Sequence, residues 1–186
     1  RYFQNVLRGN FGDSYYFKAS VAQVIGERLP QTLLLVIPSV ILSSLIGILL
    51  GFIATKSANP FLSSGIPLCA TLLNSIPIFW LAYLLLLFFS VKLEWFPIKG
   101  MVNVRIMSAG IDYFLDVLHH LTLPLLTMVL SQLAQILLLT RTRLREEIQN
   151  PYFRTALSKG LSQRRATIYH ALPNAMLPVI TVIGSR

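Results

Sequence analysis

The dominant pattern in the chain is the alternation of long apolar windows with short charged ones. No Asp, Glu, Lys or Arg occurs at 29–55, 57–91, 117–140 or 166–185. An α-helix needs about 20 apolar residues to cross roughly 30 Å of hydrocarbon. Each window is long enough for that. Buried helices of soluble proteins rarely recur at this length without charge. The pattern predicts an all-α, polytopic transmembrane helical bundle.

A first span is expected at about 31–54, opened by Pro30, which suits the first turn of a helix. Residues 1–30 read as a polar and aromatic segment with a short helix at 20–28 capped by Ser20. Small residues Ser39, Ser43, Ser44, Gly47 and Gly51 run along the span. Gly47 and Gly51 form a small-xxx-small pair that favours close helix packing. The next window has 35 residues, about 52 Å as helix, too long for one simple crossing. A second span is expected at about 66–91. It has an entry segment up to Asn74, a break near Ser75-Ile76-Pro77 and an apolar core at 78–91. Residues 92–120 read as a surface loop with a short helix around 111–118. A third span is expected at about 121–140. Its helix continues through 141–147 and stops at Asn150-Pro151, because proline disfavours helix in the residue before it. Pro173 or Pro178 marks the start of another span within 173–186. The chain opens at Arg1 and stops in or just after an apolar run, so a first and a last span are expected to be missing.

Composition supports this class. Hydrophobic residues make up 54% of the chain and charged residues 12%, too apolar for an ordinary soluble domain. The net charge of +9 could suggest nucleic acid, but its placement excludes that reading. Seven of the 16 Lys and Arg residues fall at 141–165, directly after a span, as the positive-inside rule expects. The loop at 92–120 holds three basic and three acidic residues. This puts 141–172 on the cytoplasmic side, 92–120 and 1–30 outside, and 55–65 inside. The single Cys69 excludes a disulfide framework and reads as a small packing residue.

The candidate site is the connection at 151–178. Asn150 can cap a helix starting at Pro151. Tyr152, Phe153, Ala156 and Leu157 then share one face, with Arg154, Ser158 and Lys159 elsewhere. Gly160 fits a C-terminal stop, and Ser162 can cap a second helix carrying Arg164 and Arg165. A short helix with aromatic knobs and a basic rim can insert into a groove on another protein. It can equally lie on anionic lipid. The residues alone leave both open.

Polar groups in or near the spans are Asn74, Ser75, Gln132 and Gln135. They are candidates to line a translocation path, against the plainer reading of helix–helix hydrogen bonds. Gln132 and Gln135, three apart, share a helical face. No ionised side chain lies deep in a span, which argues against a proton- or sodium-coupled carrier. Glu146-Glu147 suits a solvated helix end better than a catalytic pair. An ion-coupled carrier and an integral-membrane enzyme are the rival readings. The adjacent His119 and His120 point in different directions with no third ligand, so no metal is expected. No GxxxxGK[ST] phosphate loop occurs, so the chain should not hydrolyse ATP itself.

The connection resembles the EAA loop of ABC-importer permeases, E-A-A-x3-G-x9-I-x-L-P. Arg154, Thr155 and Ala156 occupy the E-A-A positions, Gly160 the glycine, His170 the isoleucine, and Leu172-Pro173 the end. The form R-T-A-x-x-K-G-L…H-A-L-x-N-A-x-L-P is similar to the branch that imports dipeptides, oligopeptides and nickel. GNFGDSYYF, VAQVIGERLPQTL, SIPIFWLAYLLLLFF, LEWFPIKG and HHLTLPLLTMVL resemble successive segments of that branch, in its order. The resemblance implies a type I importer permease of about six spans in a bacterial inner membrane. It implies a second permease subunit, two cytoplasmic ATPase subunits that carry ATP and magnesium, and an extracytoplasmic solute-binding protein. The chain itself is expected to bind no cofactor. Tyr152, Phe153, Arg154, Thr155, Ala156, Leu157, Lys159 and Gly160 are then the ATPase-coupling residues.

Overall fold

The computed structural model describes residues 2–7, 9–102 and 110–185. Arg1, Arg8 and Arg105, which enter the loop-charge comparison, lie outside the described residues. The chain divides into two units, 1–38 and 39–186. The elements are α1 (Tyr2–Leu7), a two-stranded antiparallel hairpin of β1 (Asp13–Ser14) and β2 (Ala19–Ser20), and α2 (Val21–Lys56). They continue with α3 (Phe61–Asn74), α4 (Ile78–Lys92), α5 (Ile111–Gln149), α6 (Pro151–Ser158) and α7 (Gln163–Gly184).

Among the described residues, α2, α5 and α7 are long and apolar enough to cross a membrane. The α3–α4 pair adds a fourth if it is one broken crossing. The two helices meet at 97°, so the stretch expected as a span at 66–91 is not a straight helix. Pro77, with ψ at 140°, forces the break that the Ser75-Ile76-Pro77 sequence signals.

Three boundaries differ from expectation. Residues 21–28 and 31–54 belong to one helix, and Pro30 and Pro38 lie inside it. Each proline removes one hydrogen bond, a loss that the rest of a 36-residue ladder sustains. Ser20 does cap this helix, its Oγ accepting from the Gln23 amide at 3.2 Å. The helix expected at 111–118 runs without interruption into the one at 121–140, as α5. Nothing between them breaks helix, since His119 and His120 are tolerated there. His119 Nε2 lies 2.8 Å from the Trp95 carbonyl and His120 Nδ1 2.8 Å from the Asp116 carbonyl. Finally, α7 starts at Gln163, well before Pro173 and Pro178.

Pro67 of α3 and Pro173 of α7 are each preceded by a π turn. Thr167–Ala171 is a π segment, closed by the Leu172 amide donating to the Thr167 carbonyl five residues back. Pro173 follows at once. Phe61–Gly65 is a second π segment, with the Ile66 amide on the Phe61 carbonyl, and Pro67 follows in the same way. Widening the turn by one residue relieves the register that the missing N–H would leave open.

In the second unit α5 is the central helix, packing against α3, α4 and α7. Against it α2 presents a stripe of small buried residues: Ser39, Ser43, Gly47, Gly51 and Ala54. A Cβ on Gly51 would lie 2.8 Å from the Leu137 carbonyl oxygen. One on Gly47 would lie 3.0 Å from Ile136 Cβ. The backbones touch because nothing stands between them. Large side chains such as Ile41, Leu45 and Leu49 face outward on α2. Cys69 is also exposed rather than packed inside. It borders an apolar groove of about 250 Å³ with Leu50, Phe61 and Leu137.

Gly51→Leu should therefore destabilise the fold by about 1–3 kcal/mol or more, because its nearest neighbour is backbone that cannot step aside. Gly26→Ala is the matched control, with nothing within 4 Å of its added Cβ. Thermal unfolding in detergent should fall for the first variant and hold or rise for the second.

Candidate functional site

The connection after α5 is a compact structure rather than a loose loop. Asn150 takes the extended conformation of a helix cap, φ −65° and ψ 146°, and Pro151 opens α6. The Asn150 side chain does not cap the helix as expected. Its amide donates instead to Glu147 Oε2 at 3.1 Å.

The far end of α6 closes at Gly160, whose φ of +87° suits glycine. The Leu161 amide reaches back to the Ala156 carbonyl at 3.3 Å, and the Gly160 amide to Leu157 at 2.9 Å. This pair of bonds is a Schellman stop. Ser162 then caps α7 by accepting from the Arg165 amide at 3.4 Å.

Burial corrects the expected outward face of α6. Phe153 is 2% exposed and Ala156 is buried beside it. They share a cluster with Leu144 of α5 and Ala166, Ala171 and Ala175 of α7, flanked by Phe52 and Leu161. These two residues hold α6 to its own chain and are not available as knobs for a partner. The outward face is Tyr152, Arg154, Thr155, Leu157, Ser158 and Lys159, all exposed.

A polar tie reinforces the packing. The Tyr152 phenol donates to Glu147 Oε2, and the Asn174 amide donates to the phenol oxygen at 3.4 Å. The tie joins the end of α5, the start of α6 and the middle of α7. Burial pushes the Tyr152 phenol above its ordinary range, and the Glu147 carboxylate adds to that by favouring the protonated form. A second tie comes from α2. Lys56 Nζ donates to the buried Thr167 hydroxyl at 3.1 Å, and that hydroxyl donates to the Gln163 carbonyl at 2.7 Å. Arg141 donates to the Ser63 carbonyl at 2.9 Å.

The sequence reading missed Glu147, Asn174, Lys56 and Thr167. For Lys56 a signal existed, because it is the one charged residue between 29 and 91. For Asn174 there was none, since its partner lies 22 positions away.

The four candidate path residues are not alike. Gln132 is buried and joins α5 to α2, donating to Ser39 Oγ at 3.4 Å and accepting from Ser43 Oγ at 3.3 Å. Gln135 is exposed, so the two glutamines do not share an environment. Asn74 and Ser75 are exposed at the α3–α4 bend, with Ser75 Oγ donating to the Thr71 carbonyl at 2.9 Å. Gln132 is thus a helix–helix contact. Among the described residues no group of three or more His, Cys, Asp or Glu side chains could hold a metal.

The sequence profile described as binding-protein-dependent transport system inner membrane component matches residues 47–186. The chain belongs to that family. Membership makes it an inner-membrane transport component, and the matched region takes in α3 to α7 with the whole connection. The oligopeptide transport system permease protein AppB of Bacillus subtilis is 35% identical over 97% of this chain and 56% of its own length. The di/tripeptide transport system permease protein DppB of Pseudomonas aeruginosa is 32% identical over 98% of this chain and 59% of its own length. A probable peptide ABC transporter permease of Sinorhizobium fredii is 34% identical over 97% of this chain and 56% of its own length. The chain spans a little over half the length of these curated relatives.

Two measurements check the connection of this transport component. Phe153→Ala should lower stability by about 3–5 kcal/mol, read as a fall in thermal midpoint. Tyr152 has a raised folded-state pKa, so its bond to Glu147 is present below pH ~10 and is lost as pH rises through the raised value. The tyrosinate absorbance difference between the native protein and Tyr152→Phe should accordingly appear only above pH ~10.

Proposed function

We propose that the chain is the membrane-spanning part of a peptide-importing ABC permease, and that α6 is the element a cytoplasmic ATPase grips. The observation that carries this reading is the two-sided character of α6. One side is locked into the chain by Phe153 and Ala156, and the other is bare. A helix fastened on one side to three others, with its opposite side bare, suits the transfer of movement from a partner to the spans. The transport roles named for the relatives, oligopeptide and di/tripeptide transport, favour peptides as substrate.

In this reading a second permease subunit completes the path across the bilayer. Two ATPase subunits bind ATP and magnesium, and an extracytoplasmic binding protein delivers the peptide. Closure of the ATPase pair moves α6, and α6 moves α5 and α7 through the Phe153 cluster. The Lys56–Thr167 bond carries the same displacement to α2. Such coupling requires different contact free energies in the inward- and outward-facing states. The residues that meet the ATPase are Tyr152, Arg154, Thr155, Leu157 and Lys159. Phe153, Ala156 and Gly160 hold the helix in place. Of the path candidates, Asn74, Ser75 and Gln135 are exposed, while Gln132 holds α2 to α5.

Leu157→Asp tests this in the full-length permease reconstituted with its ATPase and binding protein. Peptide uptake in proteoliposomes should fall by about tenfold or more, with thermal stability and membrane insertion unchanged. Normal uptake by this variant would refute a docking role for α6.

A further inference from the structure

Beside α6 lies a cleft of about 390 Å³ lined by Tyr152, Thr155, Ala156, Lys159, Leu161 and His170. Its floor is apolar, from Ala156 and Leu161. Its rim is polar, and two of the rim groups already spend their protons within the chain. Thr155 donates to the Pro151 carbonyl at 3.2 Å and Tyr152 donates to Glu147. Lys159 and His170 are the rim groups that still offer donors outward.

The charge around the cleft is mainly positive, with Glu147 behind Tyr152 as the acid that borders it. Arg154, Lys159, Arg164 and Arg165 are all exposed, and no Asp or Glu occurs from 151 to 186. The nearest acids are engaged: Glu146 with Arg143 at 2.9 Å, and Glu147 with Asn150 and Tyr152. Among the described residues no ion pair reaches the four bases of the connection. An apolar floor under a cationic rim fits an acidic side chain flanked by apolar ones. It is a poor fit for a basic knob, since bringing like charges together costs several-fold in affinity at the least.

Resting on the reading of α6 as the ATPase contact, we infer that this cleft receives an Asp or Glu side chain of the ATPase, held by Lys159 and His170. Protein is favoured over lipid by the burial pattern. A helix that lies on a membrane inserts an exposed apolar face into the interface. Here Phe153 and Ala156 are turned into the chain. On α6 itself Leu157 and Tyr152 are the large apolar residues left outside, each 36% exposed. What faces outward is mainly cations and hydroxyls around a cleft.

The test uses the full-length permease purified through an affinity tag in neutral detergent, with its ATPase co-expressed. Lys159→Glu combined with His170→Glu should lower the retained ATPase by about tenfold or more. Lys159→Arg should retain it, and the native complex should loosen as salt rises. Carbodiimide treatment of the native complex should join the Lys159 amine to an ATPase carboxylate, identified by peptide mass spectrometry. This second measurement needs no variant to fold. Retention of the ATPase by the doubly reversed variant, together with no Lys159 cross-link, would overturn the inference. That includes the case where the variant is impaired only in vesicles rich in phosphatidylglycerol, which assigns the cations to lipid. Failure of the native permease to retain any ATPase would instead sink the reading of α6 itself.

Discussion

The contact on which the rest of the structure depends is the backbone approach of α2 to α5. Bilayer hydrocarbon is as apolar as leucine, so two helices gain nothing there by hiding leucine from it. They gain by close packing and by hydrogen bonds that lipid cannot offer. The seam follows that rule. Gly47 and Gly51 let α2 come close enough that an added Cβ would meet Ile136, Leu137 and Thr140 at 2.8–3.0 Å. Ser39 and Ser43 use the same closeness to bond Gln132. The large side chains of α2 turn outward instead. A water-soluble helix would show the opposite arrangement.

That seam fixes where α5 stands, and α5 fixes the connection. Leu144 near its end forms one wall of the pocket that holds Phe153. Three residues further on, Glu147 anchors both Asn150 and Tyr152. The turn at Asn150-Pro151 can be sharp because its polar groups are held from behind. On the other side the α7 alanines at 166, 171 and 175 admit the Phe153 ring. A larger residue at any of them would push α6 off its seat.

Elements governed by local chemistry were legible in the sequence. The break at Pro77, the small-residue stripe of α2, the Gly160 stop and the Ser162 cap each follow from one or two residues and their backbone preferences. Features decided by tertiary packing were not legible. A periodic face of Tyr152, Phe153, Ala156 and Leu157 says that one side is apolar, but not whether chain or partner covers it. The structure divides that face, with Phe153 and Ala156 in and Tyr152 and Leu157 at the edge. Prolines misled for a related reason. In water Pro30 ends or opens a helix, but in a long apolar helix one lost bond does not repay breaking the ladder. The π turns before Pro67 and Pro173 show another solution, which no residue count announces.

The two ties of the connection differ in what could release them. The Phe153 cluster is apolar, so moving it exposes a ring to water or leaves a void, and it resists displacement in any direction. The Glu147–Tyr152–Asn174 tie lies among exposed groups, where water can replace each partner at a cost of about 1 kcal/mol per bond, whereas the Lys56–Thr167 bond ends on a fully buried hydroxyl. A load on α6 would therefore leave the cluster intact and shift α6 together with the α7 π turn. The Tyr152 tie would exchange partners first. The turn itself is suited to this, because its i−5 bonding already departs from the regular ladder and can relax toward it. A helix mounted on a firm apolar pivot, with an exchangeable polar stay at Glu147, can shift under load without losing its fold.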